Sequence, residues 1–378
     1  MTSLEIAPST KPPLTVTRLG TWPAGGDLAQ AWRRLSAAQA EATVFSSYGF
    51  TRALWRSFGG NAPVEFYAVE AAGEIQGLLP LTRRRVAQSG VAFTEIGFFR
   101  NHHTLRNDLL LAPDRREEIL SALLGALARN GGWQVLFLEN LRRDAPGTAE
   151  LPASAEQLSM GCDSWQTGRL LCYLPVGGSW DDYRASLSGN MRWQLKKFRR
   201  RAGEIGAVDY LRLRTRREIA DALPQVFELQ AKSWQGLERR DPAATAADNA
   251  FEFALLEELD DDEIGDLWLM KIDGRLVASL RMLGGPGKRY VHTMHFDPAA
   301  KEVTPGTLLF EQMLQAAWAD RLVEVDFHGD STFFRRWTSQ HREHVTTRLY
   351  AASVFGRLLR IGRRLRLQWR ESVARDAD

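Results

Sequence analysis

Residues 290–337 decide the fold that the sequence predicts, and they read YVHTMHFDPAAKEVTPGTLLFEQMLQAAWADRLVEVDFHGDSTFFRRW. An alternating stretch at 289–296 predicts a β-strand, and the residues from Pro305 to about Ala319 predict a helix that the proline begins. The apolar run at 322–327 predicts a second, buried strand, after which His, Asp and Arg residues accumulate. Strand, loop, helix and strand in this order indicate an α/β unit.

The same order of elements occurs in both halves of the chain. Each half is predicted to form a helix, a hairpin, a third strand, a second helix and a buried strand. Asp273-Gly274 is a strong signal for the second hairpin, because both central positions of a type I′ turn need positive φ. The elements predicted for the first half are a helix capped by Ser46 or Ser47, strands at 64–69, 75–81, 93–98 and 109–111, a helix begun by Asp114 with Glu117 at capping-box spacing, and a strand at 133–138.

These elements predict the α/β class with mixed α+β sheets, as two tandem units whose central sheets are flanked by helices. Between Arg142 and Gln166 the sequence is rich in Pro, Gly, Ala and Ser without a clear period, so the boundary is expected there. The predicted domains are residues 1–160, residues 161–353 and a basic amphipathic helix at 354–378. A length of 378 residues agrees with two domains of ordinary size.

The composition is that of a folded protein with nearly balanced charge. Hydrophobic residues make up 44% and charged residues 25%, and a formal net charge of +3 does not by itself imply a nucleic-acid partner. The two cysteines, Cys162 and Cys172, are too few for a disulfide framework or a thiolate zinc site. Because no secretory signal and no apolar run of about 18 residues is visible, we expect a cytoplasmic location.

The helix start at Thr304-Pro305-Gly306-Thr307 is the first candidate site. Thr304 is expected to cap the helix, Pro305 suits its first position, and Gly306 lets a ligand approach the backbone. Free N–H groups and the positive end of the helix dipole favour an anion such as a pyrophosphate, although a capped helix without a ligand has the same pattern. The corresponding helix start at 114–118 is acidic and would repel a phosphate. If only one half binds an anionic cofactor, we therefore expect it to be the second half.

A second set of candidates gathers where the two strands end. Strict alternation places Tyr290, His292 and Met294 on one face of the first strand and His295 on the other. Acyl transfer to an amine needs a base and an oxyanion donor, and this region offers both. Structural roles explain the same residues, since Asp caps turns and a His in a strand is commonly a core residue. The candidates after the second strand are Asp326, His328, Asp330, Arg335, Arg336 and Trp337.

Three common kinds of catalytic motif do not occur in the sequence: a metal-ligand motif, a hydrolase nucleophile elbow and a P-loop. The His and Asp spacings match no metal-ligand motif, so no metal is expected. Neither a G-x-S-x-G elbow nor a G-x-x-x-x-G-K-[ST] loop is present, which argues against an α/β-hydrolase and a P-loop NTPase.

The tracts FDPAAKEVTPGTLLF and VEVDFHGDSTFFRRW resemble the C-terminal signature of GNAT-like acyltransferases of the CelD and FemAB type. The basic helix SGNMRWQLKKFRRRAGEIG, the stretch LQAKSWQG, and FSSYGFTRALWRSFGG with GEIQGLLPL are also similar to this family, so the resemblance extends from about Thr43 to about Ala352. It implies tandem GNAT-like units, of which the second carries the working site.

The resemblance also implies roles for single residues. Thr304 to Leu308 would form the turn for the pyrophosphate of acyl-CoA, and Asp326, Gly329, Asp330 and Trp337 would form the strand-end signature. Relatives have Tyr-Lys shortly after the Gly-Asp pair, whereas this chain has Phe333-Phe334, so a mechanism that relies on that Tyr or Lys is in doubt. The predicted site comprises Asp330 as general base with His328, His295 and His292 as alternatives, Thr304, Pro305, Gly306, Thr307 and Leu308 for the cofactor, and Arg335, Arg336, Tyr290, Trp337 and Trp234 for the acceptor.

The predicted function is N-acyl transfer from acetyl-CoA or a longer acyl-CoA to an amine. The acceptor would be a small metabolite, an amino sugar or an envelope or polysaccharide precursor, and attack would be direct because neither cysteine lies in the predicted site. One alternative is FemAB-like transfer from aminoacyl-tRNA, with the basic helix residues 192–201 contacting RNA phosphates, although such a face is commonly just solvated. The other alternative is a catalytically silent binding or scaffold protein.

The C-terminal tail predicts an amphipathic helix. Leu358, Ile361, Leu365 and Trp369 recur at helical spacing, with arginines mostly on the other side. The apolar stripe is expected to dock on the protein, to pair with another subunit, or to contact an anionic membrane as a peripheral protein at the inner membrane face.

Overall fold

The computed structural model describes residues 11–19, 22, 26–39, 42–59, 64–88, 90–99, 101–233 and 241–375. The strands are β1 (Thr15–Leu19), β2 (Val64–Ala71), β3 (Glu74–Gln88), β4 (Val91–Gly97), β5 (Leu110–Leu111), β6 (Val135–Arg142), β7 (Gly161–Pro175), β8 (Val208–Leu213), β9 (Asp266–Ile272), β10 (Arg275–Gly285), β11 (Lys288–Phe296), β12 (Glu324–Asp326) and β13 (His341–Tyr350). The α-helices are α1 (Gly26–Ala37), α2 (Tyr48–Phe58), α3 (Arg116–Asn130), α4 (Pro146–Gln157), α5 (Trp180–Ser186), α6 (Gly189–Ile205), α7 (Arg216–Lys232), α8 (Pro242–Glu258), α9 (Pro305–Ala319) and α10 (Val354–Arg375).

The chain forms two compact units, each assembled from separate segments. Unit 1 comprises Met1–Ala42, Asn61–Thr167 and His344–Asp378, and unit 2 comprises Thr43–Gly60 and Gly168–Glu343. This division differs from a single boundary near residue 160, because α2 belongs to unit 2 and the C-terminal segment belongs to unit 1. A physical reason for the first difference is Gly49, where a Cβ would lie 2.4 Å from the Glu258 carbonyl oxygen, so the glycine lets α2 approach the end of α8.

Unit 1 has a mixed sheet with strand order β1-β2-β3-β4-β6-β13 and the first part of β7, and β5 pairs with β3. The β4–β6 pair is parallel from Glu95↔Val135 to Gly97↔Phe137, whereas β2, β3 and β4 pair antiparallel. Helix α3 buries its leucines and Ile119 in the core of this unit.

Two local predictions for unit 1 are wrong. Asp114 does not begin a capped helix, because it lies in a 3₁₀ turn at Pro113–Arg115 and α3 starts after Arg115 without a side-chain cap. The expected irregular boundary at 142–166 contains α4 and the start of β7. The sequence of α4 shows no hydrophobic periodicity, because small residues such as Ala155 and Ser154 form much of its buried face.

Unit 2 has a mixed sheet with strand order β7-β12-β11-β10-β9-β8. The predicted hairpin is confirmed, since Asp273 and Gly274 have φ of 47° and 74° between β9 and β10. Helix α9 begins at the predicted Pro305 and buries Leu308, Leu309 and Phe310 against the core. The predicted α/β class with mixed sheets is therefore confirmed. Among the described residues, no helix combines the length and apolar composition needed to cross a bilayer.

Candidate functional site

The candidate site of unit 2 lies where two parallel strands separate. Strands β11 and β12 pair from Lys288↔Glu324 to Tyr290↔Asp326, after which β11 continues for six residues alongside β10. The chain after β12 follows β7 instead, because the Phe327 N–H donates to the Cys172 carbonyl at 2.9 Å. We call the opening between residues 291–296 of β11 and residues 327–328 the β11–β12 wedge. Its β11 side is a strand edge outside the β12 ladder.

A β-bulge in β11 changes the predicted faces of this strand. Arg281 pairs with Thr293 and the next residue of β10, Met282, pairs with Val291, so His292 is the extra residue. Beyond the bulge the alternation is reversed, and Met294 packs on the same hydrophobic core as Val291. The expectation that His292 and Met294 share a face is therefore wrong. Bulges re-aim side chains and are frequent beside active sites.

The bulge brings His292 to a buried charged pair that sequence reasoning missed. The His292 Nε2 atom lies 3.1 Å from Glu252 Oε1 of α8, and Arg281 Nε lies 3.7 Å from Glu252 Oε2. Arg281 also donates from Nη1 to the carbonyl oxygens of Ile264 and Asp266, and burial lowers the pKa of its guanidinium. A carboxylate beside an imidazole is an arrangement that is common for histidine bases. The Asp241-Pro242 cap of α8 was the available sequence signal for this helix.

His328 and Tyr290 share an aromatic partner at the ends of the two strands. The His328 ring stacks on Phe45 with centroids 3.6 Å apart, and Phe45 meets Tyr290 edge-on at 5.6 Å. The His328 backbone has a positive φ of 48°, and its N–H donates to Asp326 Oδ1 at 2.8 Å. His295 is buried opposite Ser279 of β10. Phe45 belongs to a 3₁₀ turn before α2, and no sequence signal linked it to residues 245 or more positions away.

The predicted base Asp330 and the predicted acceptor residue Arg335 bind each other. Arg335 donates from Nε to Asp330 Oδ1 at 2.7 Å and from Nη2 to Oδ2 at 2.9 Å, and the Leu170 N–H donates to Oδ2 at 3.3 Å. Both carboxylate oxygens are thus already engaged. Arg336 lies over the Phe333 ring, 5.3 Å from its centroid. Trp234 lies outside the described residues.

The Phe333-Phe334 departure from the family pattern has a packing explanation. Both rings pack with Phe310 at centroid distances of 5.2 and 5.9 Å, and Trp337 packs on the same ring at 5.3 Å. Gly329 accommodates this cluster, because a Cβ at that position would lie 2.8 Å from a Phe334 ring carbon. The two phenylalanines and Trp337 therefore serve the core of unit 2.

The start of α9 differs from the expected cap. Thr304 has φ of 44° and ψ of 61°, and its side chain does not cap the helix, so that expectation is wrong. A positive φ is strained for a β-branched residue, and such strain clusters at functional sites. Among the described residues the buried Thr304 hydroxyl has no hydrogen-bond partner. The first turn of α9 carries no acidic residue, and the residues from Pro305 to Leu308 are buried.

Glu263 is a further titratable residue of unit 2, and no pattern in the sequence predicted its role. Burial raises the pKa of Glu263, in the loop before β9, to about 7, against hydrogen bonds from the Asp260 N–H and Ser47 that lower it. Ser47 is the cap of α2, since its side chain accepts from the Phe50 N–H. The loop between α8 and β9 therefore holds a carboxyl that titrates near neutral pH.

The sequence of unit 2 matches a known domain family over much of its length. Residues 189–336 match the family described as Acetyltransferase (GNAT) domain. Unit 2 is therefore similar to GNAT domains over these residues. The β11–β12 wedge, the His292 bulge and the start of α9 all lie within the matched residues. No curated protein matches the sequence.

Solved structures share the fold at low sequence identity. A structure titled FemX has 12% identity and a TM-score of 0.58, covering 89% of this chain and 97% of that chain. The C-terminal domain of a putative lysylphosphatidylglycerol synthetase from Agrobacterium fabrum has 10% identity and a TM-score of 0.52, with 88% and 93% covered. The L-PGS structure from Bacillus licheniformis has 12% identity and a TM-score of 0.50, with 92% and 98% covered. The predicted FemAB-type, GNAT-like fold is confirmed.

Proposed function

We propose that the protein is an N-acyltransferase that moves an acyl group from acyl-CoA to an amine of a small metabolite, an amino sugar or an envelope or polysaccharide precursor. The observation that carries this proposal is the β11–β12 wedge followed by the strained start of α9. The edge of β11 offers backbone groups to an extended, amide-bearing chain such as the pantetheine arm of CoA. The residues Thr304 to Leu308 would then hold the diphosphate at the positive end of the helix.

The proposed reaction is a direct displacement. The amine nitrogen attacks the thioester carbonyl carbon, the C–S bond breaks, and the CoA sulfur leaves as a thiolate. The attacking nitrogen loses a proton as the amide forms, and the thiolate takes up a proton in its place. The ammonium proton of the acceptor must first go to a base. We assign this base to His292, because its Nε2 atom lies 3.1 Å from the Glu252 carboxylate, whereas both oxygens of Asp330 already accept hydrogen bonds.

The cofactor site is tested by a matched pair of substitutions at Thr304. Asp and Asn have nearly the same shape and both tolerate positive φ, so Thr304→Asp and Thr304→Asn relieve the same strain but differ by one charge. The aspartate copies the acidic helix start of unit 1 and repels a phosphate. Isothermal titration with acetyl-CoA is expected to give at least tenfold weaker binding for Thr304→Asp than for Thr304→Asn. Equal affinities of the two variants would contradict a diphosphate at this position.

The assignment of the base is tested by thiol release with a panel of primary amines. His292→Gln is expected to lower kcat by roughly 10²–10⁴ and leave the CoA affinity unchanged, as loss of a general base does. Asp330→Asn should change kcat by less than tenfold. If Asp330→Asn gives the large loss of kcat and His292→Gln the small one, Asp330 is the base, and the proposed acyl transfer is not contradicted.

A second candidate function is transfer of an aminoacyl group from tRNA. The specific observation in its favour is the face of α6 that holds Arg192, Lys196 and Arg200, all exposed. Arg200 pairs with Glu204 at 3.0 Å, which leaves Arg192 and Lys196 as the phosphate contacts in this reading. Two solved structures that share this fold are titled FemX and the C-terminal domain of a putative lysylphosphatidylglycerol synthetase. Salt-sensitive RNA binding that is lost in Arg192→Gln/Lys196→Gln, without a response to acetyl-CoA, would favour this function. Binding of neither ligand would favour the scaffold alternative.

A further inference from the structure

The tail helix α10 docks on unit 1 through the face opposite to its apolar stripe. Arg360 donates from Nε to Asp163 Oδ1 at 2.9 Å, and Arg364 donates from Nη2 to the same oxygen at 2.8 Å. The Arg363 guanidinium lies over the Trp165 ring, 4.1 Å from its centroid. Leu359 packs on the small core cluster of Phe93, Val135, Phe137 and Tyr350. The helix is therefore held by arginines and one leucine.

This docking leaves the apolar stripe in solvent. Leu358, Ile361, Leu365 and Trp369 are 59%, 53%, 60% and 66% exposed. At 100° per residue the four side chains fall within about 80° of one another on one face of α10. Scattered exposed leucines need no explanation, but a continuous stripe of this kind marks an interaction surface. The expectation that the stripe docks on the body of the protein is wrong.

The charges beside the stripe decide what kind of partner fits it. Between Val354 and Trp369 the helix has five arginines and no acidic residue. Arg357 and Arg364 border the stripe on one side and Arg366 borders it on the other, at helical spacing. Two such helices from two copies of the chain would bring these arginines together, and like charges at close range repel. An anionic lipid surface neutralises them while the apolar side chains enter the headgroup boundary.

We propose that α10 binds the protein to an anionic membrane surface, with the Leu358, Ile361, Leu365 and Trp369 stripe inserted and the bordering Arg357 and Arg366 at the lipid phosphates. The face with Arg360, Arg363 and Arg364 stays on unit 1, so the helix carries the folded protein to the surface without having to undock. This interaction is independent of the chemistry proposed for unit 2.

The test is co-flotation of the full chain with vesicles of phosphatidylcholine alone or with 30 mol% phosphatidylglycerol. The vesicle-bound fraction is expected to rise at least tenfold with the anionic lipid and to fall with added salt. Leu358→Gln/Leu365→Gln should lower binding to the anionic vesicles at least tenfold, and Arg357→Gln should lower it less. The matched control Val91→Gln/Leu211→Gln changes two exposed apolar residues elsewhere, which are 43% and 39% exposed, and should bind like the parent.

Three results would overturn the proposal. The first is the absence of vesicle binding at low salt. The second is equal binding to both vesicle compositions. The third is a concentration-dependent dimer in light scattering that Leu358→Gln/Leu365→Gln abolishes, because a second copy of the chain would then cover the stripe. Circular dichroism of both double variants checks that the helix and the fold are retained.

Discussion

Neutralising Glu252 is expected to destabilise the protein strongly, although it lies outside the sequence motifs. Glu252→Gln keeps the shape and an oxygen for His292 but removes the negative charge 3.7 Å from Arg281 Nε. At an effective dielectric constant of about 20, that attraction is about 4 kcal/mol. Arg281 is almost fully buried, so its charge would be left without this counter-charge, and breaking such pairs costs roughly 3–5 kcal/mol. Because Asp266 also attracts Arg281, we expect the lower end, about 3 kcal/mol.

The assay is urea unfolding of the full chain at pH 7.5, followed by circular dichroism. Glu257→Gln on the same helix is the matched control, because its pair with Arg56 is exposed on both sides and should contribute less than about 1 kcal/mol. In Glu252→Leu/Arg281→Met both charges are gone, so the double variant should be more stable than the sum of the single losses predicts. A loss below about 1 kcal/mol for Glu252→Gln would refute the idea that this carboxylate holds a buried cation.

Three further predictions test other parts of the structure. Gly329→Ala should destabilise by roughly 1–3 kcal/mol through its clash with Phe334, and Phe334→Leu in the same chain should recover part of the loss in urea unfolding. Asp163→Asn should weaken docking of the arginine-rich tail by about 1 kcal/mol, which limited trypsin digestion would show as faster cleavage within α10. Burial raises the pKa of Glu263 from 4.5 to about 7 in the folded protein. Between pH 4.5 and pH 7 the folded protein therefore binds more protons than the unfolded chain, so the free energy of unfolding falls as the pH rises. Glu263→Gln should therefore be more stable than the parent by about 3 kcal/mol at pH 8 and equal to it near pH 4.5, by urea unfolding at each pH.

Local signals in the sequence were sufficient for the elements that frame the site. The Asp273-Gly274 turn and the Pro305 helix start occur as predicted, because each depends on the backbone preferences of two adjacent residues. The same approach failed for α4, whose buried face uses small residues. It also failed at Thr304, because this residue ends the 3₁₀ turn Pro298–Val303 in the left-handed region, and its side chain does not cap α9.

The site itself was less predictable because its partners come from distant parts of the chain. Periodicity identified His292, but the bulge that turns it towards α8 arises from the register of β10 and β11. Glu252 and Phe45 reach the two histidines only through the packing of α8 and of the turn before α2 in unit 2. A charged or aromatic residue at either position has many structural explanations. No pattern along the sequence therefore distinguishes Glu252 and Phe45 from residues outside the site.

The two helix starts lead to a prediction about stoichiometry. In unit 1, Glu117 and Glu118 lie in the first turn of α3, and the Arg115 guanidinium before them donates to Glu118 at 2.7 Å. The N-terminus of α3 therefore already has carboxylates beside it. In unit 2 the first turn of α9 has no acidic residue, and the Thr304 hydroxyl has no hydrogen-bond partner in the described part of the chain. Because carboxylates at a helix start repel a phosphate, calorimetric titration should give one acyl-CoA per chain. Unit 1 nevertheless has a cavity of about 210 Å³ beside Gly97 and Phe137, where β4 and β6 separate, so its shape does not exclude a ligand. Two sites per chain, of which Thr304→Asp removes only one, would show that cavity shape rather than helix-start charge selects the cofactor.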